Sequence, residues 1–355
     1  MGWFDKIRIG MYPYTYARVS AMKGKLIQRD QYQKMLRMGT NEVTKFLQET
    51  EYRKEIDELT ATHAGLQLIE SALHRNLARS LMKMKTIAEG SLKMVIEGYL
   101  KREDMRNIKT IMRGKFTKAD SQQIESLLMP VGDLKKGFLQ RLLQKESVPE
   151  IMKELKFIDS KQLEKGMKKF QETGNLFILE NLLDQQYYKE MLAFTQRIPE
   201  QGTLFREFLE LEIDMLNIKT LLRLKREHLP PQEIEPYLFY AGAKLKKDEL
   251  QHLLKLQQVE EVLERLARHG YGKVLQEGME TYKKNKSLSG IEVALHRNLL
   301  QRITLMTHQN PLSIDVLLGF MLAKEMEIRN LKLLIKGKQA GLDEGFIEKE
   351  LVIAY

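Results

Sequence analysis

Three carboxylates occupy equivalent places in a repeated pattern, and carboxylates are common general acids and bases in enzymes. Asp104, Asp214 and Glu327 each stand three residues before an Asn, within an otherwise apolar helical stripe. They belong to different copies of the pattern, whereas a catalytic acid and base must share one site. An unpaired buried carboxylate is costly, so we expect hydrogen bonds or ion pairs with neighbouring helices, Arg75 and Arg297 being candidate partners.

Other residue types that carry chemistry lack the necessary spacing. The four Gly-Lys pairs have neither the upstream Gly nor the downstream Ser or Thr of a phosphate-binding loop. The seven histidines form no close pair with metal-ligand spacing, and the chain contains no cysteine. We therefore expect no catalytic, cofactor-binding or metal-binding residue, and we predict that the protein is not an enzyme.

The carboxylates belong to a pattern that occurs three times. Its central residue is an Asn that is followed by Ile or Leu and then Lys, and a Glu precedes this Asn at a nearly constant distance. We interpret these residues as structural positions of the repeat, namely Glu70, Glu180 and Glu292 with Asn107, Asn217 and Asn330. Such wide and nearly equal intervals between the Asn positions are typical of whole domains rather than short solenoid units, which predicts a tripled domain.

Helical periodicity runs through nearly the whole chain. Apolar residues recur at helical spacing, the eight prolines fall at expected helix ends, and no convincing strand-like alternation occurs. The sequence therefore predicts an all-α fold of three similar helical domains. Glycine, proline and capping residues after each Asn helix place the domains at residues 1–120, 121–230 and 231–355.

Basic residues lie two and six positions after each Asn, beside the apolar stripe. They are Lys109, Arg113, Lys219, Arg223, Lys332 and Lys336. These pairs are either a solvated helix face or similar positive patches that bind a partner. The net charge of +10 and the pI near 9.3 favour acidic partners. A protein partner is favoured over RNA because no aromatic residues are interleaved with the basic ones.

No segment has the length and hydropathy of a membrane-spanning helix. The longest obvious apolar run, residues 316–323, is followed directly by Lys324 and Glu325. Near the N-terminus, Trp3 and Phe4 are mixed with basic residues, and they either touch a membrane surface or ring or simply pack.

The chain resembles the C subunit of archaeal and bacterial vacuolar-type rotary ATPases, which corresponds to the d subunit of the eukaryotic vacuolar enzyme. The resemblance covers essentially the whole length. It rests on the opening residues 12–19, on residues 46–52, on the three Asn helices and on the ending residues 336–338 and 347–351.

The resemblance implies a fold and a role. The fold would be three helical domains around a pseudo-threefold axis, forming a funnel whose base sits on the cytoplasmic face of the membrane rotor ring of c or K subunits. The mouth would receive the central shaft made by the D and F subunits. One copy of the chain would act as a socket that catalyses no reaction itself. It would couple the flow of protons or sodium ions to ATP synthesis, or couple ATP hydrolysis to the pumping of those ions. No nucleic acid is expected as a partner.

Two alternatives remain open on the sequence. The first is a freestanding basic helical scaffold that binds RNA or an acidic protein, and the second, less favoured, is an uncharacterised enzyme.

Overall fold

The computed structural model of the protein describes residues 12–198 and 201–353. Trp3 and Phe4, for which contact with a membrane surface or ring and simple packing are the two expectations, lie outside the described residues. Within the described ranges every regular element is a helix, which confirms the predicted all-α class.

Nineteen α-helices follow one another within the described residues. In chain order they are α1 Pro13–Lys23, α2 Arg29–Leu36, α3 Thr40–Gln48, α4 Arg53–Leu59, α5 Gly65–Ile87, α6 Gly90–Phe116, α7 Ser121–Ser126, α8 Lys136–Leu143, α9 Val148–Glu154, α10 Ser160–Thr173, α11 Phe177–Thr195, α12 Gln201–Arg226, α13 Pro231–Ile234, α14 Lys247–Lys255, α15 Val259–Leu266, α16 Gly272–Asn285, α17 Ser289–Gln309, α18 Ile314–Gln339 and α19 Glu344–Glu350. A 3-10 turn lies at Glu235–Tyr237, and the chain is kinked between α15 and α16, where His269 and Gly270 have non-helical backbone angles.

Two compact units are formed by the described residues. One unit comprises residues of Met1–Leu77 and Glu207–Tyr355, and the other comprises residues of Ala78–Arg206. The first unit therefore takes residues from both ends of the sequence. The division into domains at 1–120, 121–230 and 231–355 stays a prediction.

Short polar side chains set several helix starts. Asp120 accepts hydrogen bonds from backbone N–H groups in the first turn of α7, Ser313 does so for α18 and Asp343 does so for α19. Such caps satisfy N–H groups that have no partner inside the helix. Gly174 caps the C-terminus of α10, and its φ of +67° is a left-handed conformation that glycine adopts without steric cost.

The three long helices that carry the repeated Asn, α6, α12 and α18, are called the Asn-bearing helices. Each carries an apolar stripe at the positions two before and one, four and five after its Asn. The twelve stripe residues are Met105, Ile108, Ile111, Met112, Met215, Ile218, Leu221, Leu222, Ile328, Leu331, Leu334 and Ile335. The stripe packs inward, since eleven of these residues are buried and Met215 is partly buried. In α12, for example, Ile218, Leu221 and Leu222 join one core cluster with residues from α13 to α17. The end of the Asn-bearing helix therefore packs with the segment that follows it.

The side chain of each repeated Asn makes two hydrogen bonds to the backbone of one later residue. Asn217 Nδ2 donates to the carbonyl oxygen of Phe239 at 2.8 Å, and Asn217 Oδ1 accepts from the Phe239 N–H at 2.9 Å. Asn107 makes the same two bonds with Met129, and Asn330 makes them with Val352. In all three copies the partner lies 22 residues after a buried Asn. The repeat thus preserves a specific pairing as well as a core pattern.

We expect Asn217→Ala to lower the free energy of unfolding by roughly 2 to 6 kcal/mol. The substitution leaves a buried N–H and a buried C=O without partners, and each such group costs about 1 to 3 kcal/mol. Chemical denaturation would measure the loss. The control is Asn41→Ala, at an exposed position of α3, which should change stability by less than about 0.5 kcal/mol. Equal effects of the two substitutions would contradict the role of the paired bonds.

Candidate partner-binding site

The six basic residues lie on the C-terminal halves of the Asn-bearing helices. The three at the later position keep exposed side chains, with 62% of Arg113, 54% of Arg223 and 57% of Lys336 accessible to solvent. The three at the earlier position, Lys109, Lys219 and Lys332, are half-buried. Only the later positions therefore present most of their surface to solvent.

Every later cation forms an ion pair with a repeated Glu. Helices α5, α11 and α17 carry these residues and are called the Glu-bearing helices. Arg113 donates from Nε and Nη2 to the two carboxylate oxygens of Glu180 at 2.6 and 2.8 Å. This two-bond geometry is the strongest that Arg and a carboxylate form, and the hydrogen bond to Glu180 raises the pKa of the guanidinium.

The other two copies repeat this pairing. Arg223 Nη2 lies 2.6 Å from Glu292 Oε1, and Lys336 Nζ lies 2.6 Å from Glu70 Oε1. The first two cations pair with a Glu 67 and 69 residues further along, while the third pairs with the Glu nearest the beginning of the chain. The same contact is thus made three times, the last time between distant parts of the sequence.

In two copies the earlier cation faces the residue one turn after the repeated Glu. Lys109 forms an ion pair with Asp184 at 2.6 Å, and both side chains are half-buried. In the next copy Lys219 is close enough to His296 to lower its pKa. In the third copy burial lowers the pKa of Lys332, Glu70 opposes this shift and Lys336 adds to it. Four of the six basic residues are therefore already paired with acidic side chains of the same chain, namely Lys109, Arg113, Arg223 and Lys336.

Asp104 and Asp214 accept backbone hydrogen bonds just ahead of a helix. Asp104 accepts from the N–H groups of Asp133 and Leu134 at 2.7 and 3.1 Å, directly before the cap of α8. Burial raises the pKa of Asp104 to about 6, while the two N–H bonds act in the opposite direction. The carboxylate positions the loop before α8 against α6.

The middle copy has the same arrangement with one further donor. Asp214 accepts from the N–H groups of Lys244 and Leu245 at 2.7 and 3.1 Å, and from the Tyr271 hydroxyl at 2.8 Å. Gly242 lies so close that an added Cβ would collide with Asp214 Oδ1. The glycine is required there because the backbone must approach the carboxylate.

Glu327 completes the set with the most buried network. Its Oε2 accepts from the N–H of Ile27 at 2.5 Å, and its Oε1 accepts from Lys324 Nζ at 2.7 Å and from the Tyr52 hydroxyl. The expected hydrogen bonds of the three carboxylates are therefore present, although backbone N–H groups are their common donors. Arg297, an expected partner, donates instead to the carbonyl oxygens of Lys349 and Leu351.

The pairing of the repeated Glu with the later cation was not predicted from the sequence. The sequence does contain a pattern that indicates this pairing. One helix of each repeat carries an acid beside its apolar stripe, and another helix carries a cation beside its own stripe. Complementary charges in every copy are what two helices packed side by side would need. The role of the six basic residues in binding another protein of a complex stays a prediction.

Two kinds of site are missing from residues 12–198 and 201–353. No group of three or more His, Asp or Glu side chains in these ranges is arranged to hold a metal ion. None of the helices described there is both long and apolar enough to cross a bilayer.

We expect the protein to lose stability through His296 as the pH falls from about 6.5 to about 4. Burial, then Lys219, lowers the pKa of His296 from 6.5 to about 4, and its Nδ1 donates to the Glu292 carbonyl oxygen at 2.7 Å. The unfolded chain therefore binds this proton more readily, which costs roughly 1 to 2 kcal/mol at pH 5.

Denaturation of the wild type and of His296→Asn at pH 7 and pH 5 would test this expectation. The Asn variant retains an N–H donor but does not titrate, so its stability should fall less between the two pH values. His308→Asn, at an exposed position of the same helix, is the control and should follow the wild type. Identical pH dependence of His296→Asn and the wild type would contradict the assignment.

Comparison of the sequence with known proteins identifies a family. The family model described as "ATP synthase (C/AC39) subunit" matches residues 15–350. The chain is similar to the C subunit of the A-type ATP synthase of Methanococcoides burtonii, with 36% identity over 96% of this chain and 94% of the relative. It is also similar to the C subunit of the A-type ATP synthase of Methanosarcina acetivorans, with 35% identity over 98% and 95% of the two chains. For the protein of that name from Haloferax volcanii the identity is 32%, over 96% and 97%. Since the match spans nearly the whole chain, this protein belongs to the ATP synthase (C/AC39) subunit family.

Proposed function

We propose that this chain is a non-catalytic rotor subunit that couples a membrane rotor ring to the central shaft of an ATP synthase. The observation that carries the proposal is the full-length family match, because relatives of nearly equal length are named as A-type ATP synthase subunits. Within such a complex the chain would act as a socket that transmits rotation between the ring and the shaft. Ion flow would thereby be coupled to ATP synthesis or to ATP hydrolysis.

The repeated contacts suit a part that must carry torque. Each Asn-bearing helix is tied to other segments by a buried Asn, by a buried carboxylate and by an exposed ion pair, as α12 illustrates. Buried polar groups are costly to separate from their partners, so such ties resist sliding between helices. Close-packed apolar stripes add stiffness, since protein interiors have low compressibility.

The proposed location is the cytoplasmic face of the membrane, with the rotor ring on one side and the D and F shaft subunits on the other. The net charge of +10 on this chain would favour binding to partners that have acidic surfaces. Exposed parts of Arg113, Arg223 and Lys336 are candidate contacts, since a cation that is already paired can still share its outer surface with a second acid.

We expect ATP-driven ion pumping to depend on this chain, while ATP hydrolysis by the head of the complex does not. Membrane vesicles containing the complex assembled without the chain should hydrolyse ATP but build no ion gradient. Addition of the purified chain should restore pumping. Pumping of undiminished rate without the chain, or ATP hydrolysis by the isolated chain, would contradict the proposal.

Charge exchange separates an internal role of the cations from a role in partner binding. In the pair Arg223→Glu with Glu292→Arg, the internal ion pair is retained while the exposed charges are exchanged. If Arg223 contacts an acidic partner, this double variant should remain folded but bind the shaft or ring subunits at least about tenfold more weakly. Gel filtration and pull-down with those subunits would measure both properties.

The single variant Arg223→Glu is the matched control, because it places two acids together and should lose stability. The same exchange can be made for Lys336 with Glu70 and for Arg113 with Glu180. Normal partner binding by all three double variants would show that these cations serve the fold alone.

A further inference from the structure

The third carboxylate takes its backbone partner from the opposite end of the sequence. Asp214 binds the N–H of Leu245, which lies two residues before the first residue of α14. Glu327 binds the N–H of Ile27, which lies two residues before the first residue of α2 and 300 residues before Glu327. The start of α2 is therefore bound to α18 by the same kind of hydrogen bond that binds the start of α14 to α12.

A tyrosine contact repeats this correspondence. Tyr271, directly before α16, donates its hydroxyl hydrogen to Asp214. Tyr52, directly before α4, donates its hydroxyl hydrogen to Glu327. Both rings are buried, and each tyrosine precedes the third α-helix of its segment, counted from α14 and from α2.

A lysine supplies a second, independent correspondence. Lys225 lies eight residues after Asn217, and its Nζ donates to the carbonyl oxygens of Leu254 and Leu256 at the end of α14. Lys338 lies eight residues after Asn330, and its Nζ donates to the carbonyl oxygen of Leu36, the last residue of α2. A cation is favourable there, because carbonyl groups at a helix C-terminus lack internal partners.

We propose that residues 26–77 and residues 323–352 are the two halves of one cooperative folding module. Helix α18 is its Asn-bearing helix, helices α2, α3 and α4 follow in place, and α5 supplies its Glu-bearing segment. The two halves of this module come from opposite ends of the sequence, whereas the module that begins with α12 is one continuous stretch of the chain. Glu327 is the main clasp between the halves, since it joins Ile27, Tyr52 and Lys324 away from water.

The cooperative nature of the module follows from the cost of partial opening. The side chains of Glu327 and Lys324 are each 4% exposed. If the segment from Ile27 to Tyr52 separates from α18, Glu327 loses two donors, the Ile27 N–H and the Tyr52 hydroxyl. Helix α19 packs on α2 as well as on α17 and α18, and it loses part of its covered surface when α2 leaves. Opening at the clasp should therefore release α2, α3, α4 and α19 together.

Native-state hydrogen exchange on the full-length protein would test the proposal, with Glu327→Gln and the matched variant Asp214→Asn. In Glu327→Gln, amides of α2, α3, α4 and α19 should exchange about tenfold faster or more, and to a similar extent, while α14 and α15 keep their protection. In Asp214→Asn, α14, α15 and α16 should accelerate while α2, α3 and α4 do not.

Several results would overturn the proposal. The first is full protection of the amides of α2 to α4 in Glu327→Gln. The second is faster amide exchange in α2 to α4 without faster exchange in α19. The third is an equal increase of amide exchange in every helix. If Glu327→Gln does not fold, Tyr52→Phe removes one donor from the clasp without changing the packing of the ring. The same pattern of smaller size is then expected, and unchanged exchange of α2 to α4 in that variant would count against the clasp.

Discussion

The buried hydrogen-bonding groups at the middle of each Asn-bearing helix constrain the rest of the structure. An Asn and, one turn earlier, an acid lie within a stripe that must face the core, so both need partners that leave no polar atom unsatisfied. Backbone groups of neighbouring loops supply those partners. These loops are thereby held in one path, and the short helices that follow them inherit their positions from it.

Ion pairs at the edge of the same helices add orientation rather than much stability. Exposed pairs contribute about 0 to 1 kcal/mol each, far less than the buried stripes beneath them. Their value lies in matching one Glu-bearing helix with one Asn-bearing helix in the correct register. The bonds of Arg113 with Glu180 illustrate this, because two parallel contacts tolerate little rotation.

Helical class and inward-facing stripes could be predicted from the sequence because burial imposes a period of about 3.6 residues on apolar side chains. The partners of Asp104 and Asp214 could not be, since a backbone N–H looks the same at every residue. Gly132 and Gly242, which stand at the same place in their two copies, were the accessible hint, because an added Cβ there would collide with the carboxyl group. The contact between Glu327 and Ile27 was harder to predict, because in the other two copies the partner follows the carboxylate in the sequence, whereas Ile27 lies 300 residues before Glu327.

The bond from Glu327 to Ile27 also has a consequence for biosynthesis. The ribosome releases α2, α3 and α4 long before α18 has been made, so these short helices leave the exit tunnel without the surface that covers their apolar faces. Domains usually fold in the order of their synthesis, and exposed apolar surface invites aggregation. This part of the nascent chain therefore keeps apolar surface exposed until α18 is made, near the end of translation.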